Sequence, residues 1–280
     1  MDHRQAISAV TWAVVAGAAI SLLLQLPTAI LEFRALGSPV SLVISDTTIM
    51  AVFMALLGGA AAESVIRLHP RFLRQRQDGS LRTWAYWALP AALAVLAVLL
   101  LPLAPGRLLQ VLGLLLTGLL FALALSGLYA TVEPGTPGFR RGRLLLNVLT
   151  YGAALLLFLL VYQTRTRSLL SGTLVAATAA LLAVELLRST TERVDLVLTY
   201  AGIVGLVLGE MTWALNYWLL PGVTGGMLLL LIFYLLVGLA QNGLEGHLTR
   251  RVILELAIFA LFALILIAVV GPGFRPIAVP

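Results

Sequence analysis

An all-α fold, a polytopic transmembrane bundle of about nine helices, is what this sequence predicts, and two observations carry that prediction. The first is composition. Of 280 residues, 61% are hydrophobic and only 11% are charged, with a mean hydropathy of +1.04. Soluble chains have about 45–50% apolar and about 25% charged residues. So few charges cannot cover a water-facing surface, which excludes a soluble domain and a disordered chain. The second is run length. About 20 apolar residues cross a bilayer as a helix. Stretches of that kind lie at 7–24, 47–66, 84–101, 107–128, 144–162, 169–187, 195–217, 223–242 and 251–270. Clusters of Pro, Gly, Arg and Asp separate them and read as loops. A single integral membrane domain over 1–280 is expected.

Each element has its own signal. The first stretch is longer than the apolar core of a signal peptide and lacks a following A-x-A site, so a retained helix is expected. Residues 25–45 are long and partly apolar (LPTAILEFRALGSPVSLVIS over 26–45). They suit a short amphipathic segment on the membrane surface, an ordinary loop, or an early start to the second span. Asp46, in S-D-T-T, reads as the N-cap of that span. The turns at Pro102–Gly106 and Pro221–Gly222 are tight, so the third and fourth spans, and the seventh and eighth, read as hairpins.

Arginine bias sets the orientation. With the N-terminus in the cytoplasm, thirteen arginines face inward: Arg4, five in 67–82, Arg140, Arg141, Arg143, Arg188, Arg193, Arg250 and Arg251. Five face outward: Arg34, Arg107, Arg165, Arg167 and Arg275. An inside N-terminus and an outside C-terminus follow, in the plasma (inner) membrane of a bacterium. The bias also accounts for the net charge of +6 without nucleic acid, which is not an expected partner.

The chain also repeats. Pro105-Gly106 leads to Gly127-Leu128, and Pro221-Gly222 leads to Gly243-Leu244, at one offset of 116 residues. Glu63 with Arg67 and Glu185 with Arg188 stand at the cytoplasmic ends of the second and sixth spans, where each suits a structural ion pair. Arg4, Arg143 and Arg251 each precede a polar residue by four positions (Ser8, Asn147, Glu255) and an aromatic by eight (Trp12, Tyr151, Phe259). The expected organisation is the first span alone, then repeat A over about 47–162 and repeat B over about 169–270. Four crossings per copy make it a parallel repeat.

The polar residues decide the function classes. There is no cysteine and no lysine, which removes disulfides, thiolate metal sites, cysteine nucleophiles, Schiff-base lysines and a Walker lysine. His3, His69 and His247 share no ligand spacing, and no metal or cofactor is expected. Aspartate is confined to ends and loops (Asp2, Asp46, Asp78, Asp195), so no D-D-x-x-D array exists to hold magnesium.

Glu210 is the acid set deepest in a span, and ionisable groups there are costly. At 100° per residue, Gly202, Gly205, Gly209, Glu210, Thr212, Trp213, Asn216 and Tyr217 fall within an arc of about 160°. Gly205-x3-Gly209 permits close helix approach. The expectation is that this face turns inward, with Glu210, Thr212, Trp213, Asn216 and Tyr217 forming a binding site along an outward-open pocket or proton path. The competing reading is a packed carboxyl, with Trp213, Tyr217 and Trp218 in the outer aromatic belt.

W-A-L-N-Y-W at 213–218, F-Y-L-L-V-G-L-A-Q at 233–241 and L-T-R-R at 248–251 make Glu210–Arg251 resemble a family of bacterial polytopic membrane proteins that form a domain of unknown function. The resemblance implies a bacterial plasma membrane and supplies no reaction. The first-ranked expectation is a non-enzymatic scaffold or accessory membrane subunit, in contact with the lipid bilayer and a membrane-protein partner. A small-solute or proton-coupled transporter or binder ranks second, although the seventh span has no proline break of the kind transporter sites use. A lipid-modifying intramembrane enzyme ranks third, since Glu210 has no evident polar partner at its depth. The sequence names no ligand.

Overall fold

The computed structural model describes residues 3–24, 27–35, 38–75, 83–133, 135–136, 138–163, 168–191, 193–218 and 220–270. The basic stretch 76–82 and the C-terminal 271–280 lie outside the described residues. So do Asp2, Arg165 and Arg167. Among the described residues, eight helices are long and apolar enough to span a membrane. The helical bundle expected from composition is therefore the fold. The remaining apolar stretch forms α1, His3–Ser21. It starts four residues earlier than expected, taking in polar His3, Arg4 and Gln5, and ends three residues earlier.

Two compact units make up the chain, Met1–Leu146 and Asn147–Pro280. In the first, α1 is followed by a two-stranded antiparallel hairpin, β1 (Ala29–Ala35) and β2 (Ser38–Ile44), paired from Ala29↔Ile44 to Ala35↔Ser38. None of the forms expected for residues 25–45 included strands. The alternation of LEFRA carries the period-two signal of a strand, and in SPVSLVI the β-branched Val40, Val43 and Ile44 favour extended backbone.

Helix α2 runs Asp46–Ile66. Its N-cap is Ser45, whose Oγ accepts from the Thr48 N–H at 3.2 Å. Asp46, expected as the cap, is the first helical residue and accepts from the Thr47 N–H at 2.7 Å. The shift is physically small: a carboxylate in the first turn still complements the positive end of the helix dipole. A short α3 (Pro70–Gln75) follows. A 3-10 turn (Trp84–Tyr86) then leads into α4 (Ala88–Leu100).

Pro102 ends α4 in a second 3-10 turn, Leu101–Leu103. Gly106 adopts φ +89°, a left-handed conformation suited to glycine, and launches α5 (Arg107–Ala130). The expected tight turn between α4 and α5 is thus present. Helix α2 packs chiefly on α4. An added Cβ on Gly58 would stand 2.7 Å from the Pro90 carbonyl oxygen, and one on Gly59 the same distance from the Trp87 ring. Helix α1 packs on α5 and α2.

Helix α6, Phe139–Gln163, carries the chain from the first unit into the second, which continues with α7 (Ser168–Leu187), α8 (Val194–Trp218), α9 (Gly222–Leu244) and α10 (Arg250–Val270). Helices α7 and α8 make the closest pairing, and both touch α9. Helix α6 meets α9 through rings: Tyr151 and Phe158 lie edge-on to Phe233, with centroids 5.9 and 5.7 Å apart. Helix α10 leans on α9 and leaves nearly all of its apolar length exposed, with Leu261 61% accessible. Apolar exposure on that scale fits a hydrocarbon solvent.

Candidate functional site

Helix α8 carries the residues singled out by sequence, and its neighbours fix which way they face. It contains small residues in register, Ala201, Gly205 and Gly209, and α7 supplies a matching row, Gly172, Ala176 and Ala180. A Cβ on Gly205 would lie 2.6 Å from the Ala176 carbonyl oxygen, and one on Gly209 would lie 3.1 Å from both Ala176 Cβ and the Gly172 carbonyl oxygen. The backbones of α7 and α8 therefore approach as closely as small residues on both sides allow. This packing supplies helix association in lipid, where tails compete with apolar side chains.

The buried side of α8 consists of Val197, Ala201, Val204, Gly205, Leu208, Thr212 and Leu215. That face is centred about 110° away from the arc drawn from sequence. The sequence arc put Val204, Leu208 and Leu215 outside; all three are buried. It put Glu210 inside; Glu210 is exposed. The reason lies in the periodicity: Glu210 and Thr212 stand at the two ends of that arc, about 160° apart on the helix, so a packed face that takes Thr212 leaves Glu210 out.

The five expected site residues therefore diverge. Thr212 is fully buried and donates from its hydroxyl to the Leu208 carbonyl at 2.7 Å. Asn216 donates from Nδ2 to Ser171 Oγ of α7 at 2.8 Å. Trp213 lies against Gly172, where an added Cβ would sit 2.8 Å from the indole, and is still 44% exposed. Glu210 and Tyr217 are exposed, Tyr217 by 82%. Sequence reasoning missed Ser171 and also Tyr162 of α6, whose hydroxyl donates to the Leu215 carbonyl at 3.0 Å. The signal was available for α7: the Gly172-x3-Ala176-x3-Ala180 row is the counterpart of Gly205-x3-Gly209.

The two expected ion pairs differ in depth. Arg67 pairs with Glu63, whose Oε1 also accepts from the Thr83 hydroxyl at 3.0 Å. The Arg67 side chain is 57% exposed, and pairs of that kind contribute about 0.2–1 kcal/mol. Glu185 is wholly buried and takes a two-pronged grip from Arg188, Nε to Oε2 at 2.9 Å and a terminal nitrogen to Oε1 at 2.7 Å. Fork geometry of this kind is the strong form of the interaction. Beside it, Gln241 of α9 donates to the Leu186 carbonyl at 3.2 Å.

A third polar cluster lies where α2 gives way to α3. The ring of His69 meets Tyr129 edge-on at 4.8 Å, and His3 stacks on the same Tyr129 at 4.6 Å. His69 Nδ1 accepts from the Arg71 N–H at 3.2 Å, and Arg71 donates to the Val132 carbonyl at 2.9 Å. Burial holds the His69 imidazole below its ordinary pKa; Glu133 pulls it upward and Arg71 downward. Among the described residues, no group of three His, Cys, Asp or Glu side chains could hold a metal ion.

Eight long apolar helices and small-residue helix packing define a multi-spanning helical membrane protein. Over residues 26–270 it matches a family described as a protein of unknown function (DUF5656), and the chain belongs to that family. The match extends far beyond the stretch 210–251 on which the resemblance was read. No curated protein and no solved structure matches the chain.

Proposed function

We propose that this protein is a non-enzymatic scaffold or accessory subunit of a bacterial plasma membrane, with its N-terminus in the cytoplasm and its C-terminus outside. The observation that carries the reading is the divergence of the α8 polar residues. Thr212 and Asn216 are committed to packing and Trp213 lies partly against Gly172 of α7, while Glu210 and Tyr217 are exposed. A solute site needs polar groups that converge on one cavity. Arginine bias supports the orientation.

An internal repeat supports a scaffold as well. Helices α1, α2, α4 and α5 correspond to α6, α7, α8 and α9 at the sequence offsets given above, with α10 as a third copy of the starting helix. In each set, the second and third helices pair most closely, the second helix ends at a Glu–Arg pair, and the last begins at a Pro-Gly step. This is the same alignment as the expected 47–162 and 169–270 repeat, framed one helix earlier.

A transport reading retains one observation. Thr11 Oγ1 of α1 and the Trp87 indole nitrogen are buried without a hydrogen-bond partner, and such groups generally hold water or a ligand. Thermal unfolding of the detergent-solubilised protein against a metabolite and lipid panel separates the two. Under the scaffold reading no small solute raises the midpoint. A stabilising solute would overturn it, because a ligand that binds the folded state must stabilise it.

A further inference from the structure

We propose that the exposed face of α8 around Glu210 is the docking surface for a partner transmembrane helix carrying an arginine or lysine at the same depth. The proposal deepens the accessory-subunit reading and rests on it.

Depth comes first. Glu210 is sixteen residues beyond Val194 and eight before Trp218, about 24 Å and about 12 Å along the axis. A hydrocarbon core of about 30 Å centred on this helix leaves Glu210 roughly 8–10 Å inside its outer boundary. Long arginine and lysine stems can snorkel across such a gap; a glutamate has two methylenes. The carboxyl therefore sits in hydrocarbon, on a surface that its own unit leaves open.

Shape comes second. Gly202, Leu206, Glu210, Trp213 and Tyr217 recur at intervals of four, four, three and four, and all are exposed. That spacing draws one stripe along the helix, the form a packing helix reads. Gly202 has nothing within 4 Å of an added Cβ, so the stripe has a notch where a second backbone could approach. Helix α7 occupies the adjoining side of α8 and reaches the edge of this stripe at Trp213, whose indole lies against Gly172.

Charge chooses the occupant. Glu63, Glu185 and Glu255 each hold an arginine on or at the end of their own helix. Helix α8 has no basic residue. Among the described residues, every arginine and histidine lies at a helix end or in a loop, so none reaches the depth of Glu210. A second copy of this chain brings no cation to this face: a two-fold contact would set Glu210 against Glu210. Lipid tails offer no hydrogen bond. The fitting occupant is a foreign helix with a cation at this depth, the arrangement in which intramembrane charges are usually found.

The absence of cysteine makes the test clean. A fluorophore on Leu248→Cys, exposed between α9 and α10, reports energy transfer to a labelled single-span leucine–alanine peptide in phosphatidylcholine vesicles. Three peptides are used: arginine at the Glu210 depth, arginine moved one turn, and leucine throughout. The expected result is at least tenfold tighter binding of the depth-matched arginine peptide. That preference should vanish in Glu210→Gln, weaken in Leu206→Trp, which obstructs the stripe but keeps the acid, and survive in Leu208→Val on the opposite side.

Equal binding of all three peptides would overturn the proposal, as would an arginine preference that persists in Glu210→Gln. Energy transfer between two labelled copies that is lost in Glu210→Gln would also overturn it, assigning the face to self-association. Each variant is first required to keep the wild-type unfolding midpoint, and Leu206→Trp carries the test should Glu210→Gln fail to fold. A stabilising solute with the peptide preference intact would sink the scaffold reading alone.

Discussion

Replacing Gly205 by leucine tests the α7–α8 interface directly. The new Cβ would stand 2.6 Å from the Ala176 carbonyl oxygen and 2.8 Å from Ala180 Cβ. The first obstacle is backbone held inside a helix, so it cannot rotate away as a side-chain tip would. Overpacking a well-filled interior costs about 1–3 kcal/mol, and a backbone obstacle places this case near the upper end. About 3 kcal/mol is roughly a 150-fold loss in the folded-to-unfolded ratio. At about 2–4 °C per kcal/mol for chains of this order of size, the midpoint falls by roughly 6–12 °C.

Gly202→Leu, three residues away on the same helix, is the control, because an added Cβ there meets nothing within 4 Å. Both substitutions gain the same helix propensity, about 0.8–1 kcal/mol over glycine, so their difference isolates the steric term. Intrinsic tryptophan fluorescence of the detergent-solubilised protein during a thermal ramp measures it. If Gly205→Leu melts at or above Gly202→Leu, the close approach of α7 and α8 is wrong.

Three further outcomes are expected from the same assay. Glu185→Ala removes the carboxylate that Arg188 grips in a fully buried site and should cost about 3–5 kcal/mol, whereas Glu63→Ala, beside a half-exposed arginine, should cost about 1 kcal/mol or less; a reversed ranking refutes the burial argument. Tyr162→Phe loses the hydrogen bond to the Leu215 carbonyl and should cost about 0.5–1.5 kcal/mol, while leaving the α6–α9 ring contacts in place. His69 makes stability depend on pH with a defined sign. Its folded-state pKa is lowered, so the unfolded chain binds the proton first as pH falls. Stability is complete above about 6.5 and is lost as pH drops from there toward the folded-state value. His69→Phe should flatten that part of the pH–midpoint curve.

Much of the architecture was legible because its causes are local. Helix length in a bilayer is set by hydrocarbon thickness, so apolar runs mark the spans. The turn before α5 was legible from Pro102 and Gly106, because proline ends a helix and only glycine readily adopts the φ of +89° found there. The Ser45 cap was missed by one residue, because serine and aspartate both cap well and side-chain geometry decides between them. The strands at 29–44 were missed because the alternation of LEFRA is short and the run Leu42-Val43-Ile44 breaks it, which left the segment to be read as loop or surface helix.

The candidate site was legible only in part. Sequence identified α8 as the helix carrying a deep acid beside small and aromatic residues, and it identified Gly205 and Gly209 as points of close approach. It could not choose the packed face. The arc held the residues that meet α7, Gly205, Gly209, Trp213 and Asn216, but extended toward Glu210, whereas the buried side extends the other way, to Val204, Leu208 and Leu215. Composition and periodicity thus determined the membrane setting, the number and extent of most helices, and the residues with chemical potential. The direction those residues face was decided by tertiary structure alone. In lipid, the burial of an apolar side does not orient a helix; complementary small residues on a neighbouring helix do, and that neighbour is defined only once the chain has folded.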